Sequence, residues 1–78
     1  MVYCNLKQIK NNSAVYFVGT STDDITGEVE FFQKPKNPII IKQPKSNDLY
    51  LSIVCNVAVK YRNIFLKGEF PEKVSYER

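Results

Sequence analysis

The sequence predicts an all-β fold, or a β-rich one with little helix, built as a small antiparallel barrel or compact sandwich of six to seven short strands. Three observations predict it. Apolar residues recur at every second position along much of the chain, the period of a strand with one buried face. Clusters of Asn, Ser, Asp and Pro interrupt these runs, where the backbone turns most easily. The chain has 78 residues, enough for one domain, 1–78, with a marginal core. Of the two, the barrel is preferred, because closure removes edges that a chain this small can hardly cover.

The elements follow in order. Val2, Cys4 and Leu6 alternate with Tyr3, Asn5 and Lys7. A turn at 10–13 (KNNS) and the apolar run AVYFVGT at 14–20 complete a hairpin. STDD at 21–24 is a second turn. Ile25, Gly27, Val29 and Phe31 then alternate with Thr26, Glu28 and Glu30, a strand wet on one face, with Gly27 marking a bulge or bend. Residues 38–42 form a short strand that begins at a proline. From Leu49 to Tyr61 every odd position is apolar. A helical stripe of Tyr50, Ile53, Val54, Val57, Ala58 and Tyr61 competes with this alternation. Four β-branched residues favour the strand. Ile64, Leu66, Gly68 and Phe70 continue the alternation to Pro71, and Val74 and Tyr76 suggest a last short strand. The expected inward set is Cys4, Leu6, Val29, Phe31, Leu51, Ile53, Cys55, Val57 and Leu66. Leu51→Ala or Ile53→Ala is then expected to cost about 2–5 kcal/mol.

Composition narrows the function classes. The apolar content is 44% and the net charge +3, values of a folded, soluble chain. No apolar run approaches the ~20 residues of a membrane span, and MVYCNLKQIK lacks the design of a signal peptide or lipoprotein leader. A cytoplasmic location is expected. Nine lysines against two arginines, with seven asparagines and seven isoleucines, suggest an AT-rich genome, bacterial or phage.

Catalysis finds little support. Histidine is absent, which removes the commonest general base and metal ligand. Gly19, Gly27 and Gly68 stand apart and cannot build a phosphate-cradling loop. Asp23 and Asp24 read as turn chemistry, and Glu28 and Glu30 as the wet face of a strand. Cys4 and Cys55 fit no metal spacing and read as buried, reduced thiols. No enzyme activity, cofactor, metal site or small-molecule substrate is expected.

Two binding readings remain. The first is a non-enzymatic interaction or structural module acting through protein–protein contacts or self-association. Its candidate edge is Ile39, Ile40 and Ile41, fenced by Pro35, Pro38 and Pro44 and by lysines. Proline and lysine commonly guard exposed edges. With Ile39 and Ile41 inward, Ile40 would point outward, and Val54 and Phe32 would add to that apolar surface. The second reading is a single-stranded nucleic-acid-binding barrel. Residues 31–67 carry seven cations against Asp48 alone. Lys34, Lys36, Lys42, Lys45, Lys60 and Arg62 would meet phosphates and Tyr50 would stack a base. Lysines on outward positions are more often a solvated surface, so the protein-contact reading, which the marginal core also supports, is preferred.

Overall fold

The computed structural model describes residues 1–46 and 48–77; Asn47 and Arg78 lie outside the described residues. Five strands form one open antiparallel sheet: β1 (Val2–Ile9), β2 (Ser13–Gly19), β3 (Gly27–Phe32), β4 (Ile39–Lys42) and β5 (Lys73–Tyr76). Their order is β4-β3-β2-β1-β5. Strands β1 to β4 run as a meander, and β5 returns beside β1. The return path carries two helices, α1 (Leu51–Lys60) and α2 (Arg62–Leu66), which cover one face of the sheet.

The hairpin, both early turns and the final strand match the sequence reading. Lys10 N–H donates to the Ser13 carbonyl at 2.8 Å across the first turn, and Asp24 N–H to that of Ser21 at 3.1 Å across the second. A bulge lies in β1 between Leu6 and Gln8. Gly27 is required by a close approach. A Cβ there would stand 2.8 Å from the Pro44 nitrogen and 2.9 Å from the Lys42 carbonyl oxygen, where the chain leaving β4 crosses it.

The barrel and the sandwich are not formed: the sheet is single and open, with five strands. The runs expected as strand from Leu49 to Tyr61 and from Ile64 to Phe70 form no strand: α1 takes 51–60 and α2 takes 62–66. The competing stripe decides this. Val54 and Val57 are fully buried, and Ile53, Ala58 and Tyr61 pack against the core. β-Branched residues cost helix at most ~0.7 kcal/mol each, while burying one valine gains ~1.5–3 kcal/mol. The packing therefore outweighs the propensity. Length also favours helix. Ten residues of helix span about 15 Å, and five strands at ~4.8 Å spacing span about 19 Å, so α1 with its flanking loops bridges the two edges.

Several expected core positions change accordingly. Cys4, Val29, Phe31 and Val57 are buried, and Leu6 and Ile53 are partly buried. Leu51 and Leu66 are exposed, and Cys55 is half-buried. These three lie off the stripe that meets the sheet. The large cost expected for Leu51→Ala falls away with its burial. Val54, expected to point outward, is in the core.

Aromatic rings join the two layers. Tyr16 meets Phe31 edge-on with centroids 5.6 Å apart. Phe31 lies 5.4 Å from Phe65, and Phe65 5.2 Å from Phe70. The buried Tyr16 hydroxyl donates to the Pro71 carbonyl at 2.6 Å. That bond anchors the turn into β5 and satisfies a polar group that would otherwise be costly to bury.

Candidate functional site

The chain at 33–38 leaves β3 beside the helices and closes a cleft of about 220 Å³. Two bonds hold its walls. Gln33 N–H donates to the Asn12 carbonyl at 3.0 Å, and the Gln33 side-chain amide donates to the Leu66 carbonyl at 3.3 Å. Helix α2 ends just there. Gly68 adopts a left-handed φ of 80°, Gly68 N–H reaches the Phe65 carbonyl, and Glu69 N–H reaches that of Ile64. This pairing is the Schellman ending that glycine permits.

Lys34, Lys36 and Arg62 line this cleft. Its apolar lining includes Ala58, Val59, Phe65 and Leu66 from the helices and Phe32 from the end of β3. The Lys36 ammonium sits 4.5 Å from the centre of the Phe32 ring, a cation–π contact that holds its stem. Among the described residues, none that lines the cleft is acidic. Among the described residues, the ion pairs are Lys7–Glu28 at 2.8 Å and Lys10–Glu30 at 3.7 Å. Both belong to the opposite face of the sheet, where Ser13 also donates to Glu30 at 2.6 Å.

The remaining expected nucleic-acid contacts do not join this cleft. Tyr50 is 72% exposed and precedes α1 without a side-chain cap. Lys42 closes β4, beyond which Lys45 N–H donates to the Thr26 hydroxyl at 2.9 Å. Lys60 ends α1 and donates to the Ser75 carbonyl at 2.9 Å, beside β5. Tyr50, Lys60 and Arg62 share no face, because the strand that would have aligned them is two helices.

The candidate edge is an edge. β4 pairs with β3 alone and is the outermost strand. The facing of its residues is reversed from expectation. Ile40 is opposite Val29, and cross-strand partners share a face, so Ile40 packs against the core. Ile39 and Ile41 are 47% and 51% exposed. Ile41 is the extra residue of a bulge between Glu28 and Val29. Phe32 is half-buried, lies under the Lys36 ammonium and lines the cleft rather than extending the β4 surface.

The two thiols differ. Cys4 is buried in the core, and burial pushes its pKa up to about 12. Cys55 lines the basic cleft, a location with no signal in its sequence neighbours. Both are free cysteines. Among the described residues, no group of three or more His, Cys, Asp and Glu could hold a metal ion. No helix among them is long and apolar enough to cross a membrane. No family model, curated protein or solved structure matches this chain.

Proposed function

We propose that this chain is a non-enzymatic interaction module that pairs with a protein strand, its own or a partner's, along β4. The supporting observation is the exposure of Ile39 and Ile41 on a strand with one neighbour. Such an edge offers backbone hydrogen bonds for strand addition, and exposed side chains supply specificity. Pro38, Lys42 and the bulge at Ile41 limit the pairing to a few residues. They guard against open-ended aggregation while leaving room for a short, specific contact.

Sedimentation over a range of concentrations tests self-pairing, and capture from native-host lysate tests a partner. Ile39→Lys and Ile41→Lys are surface changes and should weaken the contact with the fold intact by circular dichroism. Ile40→Lys, in contrast, should unfold the chain by placing a charge against the core. A monomer at every concentration, with capture unaffected by either surface variant, would sink the reading.

The alternative is binding to single-stranded nucleic acid, favoured by Lys34, Lys36 and Arg62 lining one cleft without an acid. Its signature is a salt slope near −0.7 per phosphate contacted. No binding to mixed oligonucleotides at low salt removes it.

A further inference from the structure

We infer that the basic cleft between residues 33–38 and the helices takes a phosphate monoester carried on a small apolar body. This does not rest on strand pairing at β4, which uses a different surface. Three features select the ligand. Lys34, Lys36 and Arg62 come from two separate parts of the chain, and among the described residues none that lines the cleft is acidic. A single carboxylate would leave that charge mostly uncompensated, whereas a phosphate monoester brings about −1.5 to −2 at neutral pH. The guanidinium fork also matches phosphate oxygens in pairs.

The second feature is the apolar lining. Val59 is 68% exposed and Leu66 is also open to solvent, yet both line this one cleft. A bare inorganic ion would leave them wet, and an apolar body would cover them. The third is size. At about 220 Å³ the space falls below the ~300–1,000 Å³ typical of drug-sized ligands. It suits a small aryl phosphate, or the phosphate and an adjoining part of a single nucleotide. A nucleotide could arrive free or as the 5′-phosphorylated end of a strand, and both present the same chemistry.

The test is an amide-shift titration of the full chain with phenyl phosphate. Shifts should saturate at 33–38 and 58–66. Lys36→Glu and Arg62→Glu should each weaken binding by about tenfold or more without altering the remaining spectrum. Inorganic phosphate and benzoate should bind more weakly. Affinity should rise from pH 5 to pH 7, through the second phosphate ionisation near ~6. The chain has no histidine, and the ionisable side chains lining the cleft are Lys34, Lys36, Arg62 and Cys55, so the expected rise is assigned to the ligand's second ionisation. Phenyl phosphate should also slow alkylation of Cys55, which mass spectrometry separates from Cys4.

Adenosine monophosphate and a short oligonucleotide, with and without a 5′-phosphate, identify the source. Tighter binding of the mononucleotide assigns a free ligand, and tighter binding of the phosphorylated strand assigns a strand end. Equal binding of the oligonucleotide without its 5′-phosphate overturns the monoester assignment. So does equal binding of inorganic phosphate, or the lack of saturable shifts at millimolar phenyl phosphate.

Discussion

Asp24 shows how one side chain joins distant parts of the chain. The Thr26 hydroxyl donates to one carboxylate oxygen, and the Ser46 backbone N–H donates to the other at 2.6 Å. Those bonds, Thr26 first, hold its pKa below the usual 3.8. A depressed folded pKa gives stability that is present above 3.8 and lost as pH falls through the lower folded value. Asp24→Asn should therefore lower stability at pH 7 and flatten its decline in acid, measured by urea midpoints from pH 6 to pH 2. An unchanged acid slope would show that Asp24 does not hold the loop. Cys4 acts at the other end of the scale. Burial raises it from 9.0 to about 12, so the unfolded chain releases this proton first. The stability is complete below 9.0 and is lost as pH rises toward about 12. Cys4→Val should reduce that alkaline slope. The part remaining should reflect Tyr16, whose pKa burial also raises.

Helix α1 is the element on which local and tertiary preferences disagree, and paired substitutions separate them. Val57 and Val59 fall on the same face of a strand but about 200° apart on a helix. Val57 is fully buried and Val59 is 68% exposed. Val57→Ala should cost about 2 kcal/mol and Val59→Ala less than about 0.5 kcal/mol, measured by denaturant unfolding. Equal costs would restore the strand. The approach to the helix is held by Gln43. Its side-chain oxygen accepts from Leu49 N–H at 2.7 Å, and its amide donates to the Leu49 carbonyl at 3.1 Å. These bonds fix the buried Leu49 ahead of a helix start that has no side-chain cap. Such a reciprocal pair, six residues apart, has no pattern by which a sequence reading could find it.

At the scale of the whole molecule, the open sheet makes the strands unequal. β2 has a neighbour on each side, while β4 and β5 are edges. In a closed barrel every strand would be paired twice. Hydrogen exchange should therefore be slowest in Tyr16 and Val18, with their β1 and β3 partners next, and fastest in β4 and β5. Protection of Ile39–Lys42 equal to that of β2 would mean that β4 is paired on its outer side. If protection rose with protein concentration, self-association along that edge would be the cause.

The sequence by itself determined the alternation of β1, β3 and β5, because each buries mainly one face and period two is written into its own residues, while β2 was legible as a continuous apolar run between two turns and is buried at six of its seven positions. It also located β4, because Pro38 and the surrounding lysines suit an edge whatever lies beside them. It did not determine which face of β4 turns inward. That depends on register with Val29 and on a bulge, neither of which is a property of the isoleucines. Residues 49–61 satisfied two periods at once. Only the apolar face of the sheet, assembled from strands distant in sequence, selected the helical stripe. The cleft is tertiary throughout. Lys34 and Lys36 lie far from Arg62 along the chain, and their convergence exists because α2 packs beside the chain that leaves β3. Charge and apolar pattern are local quantities. Which charges share a space is fixed by the path of the chain between them.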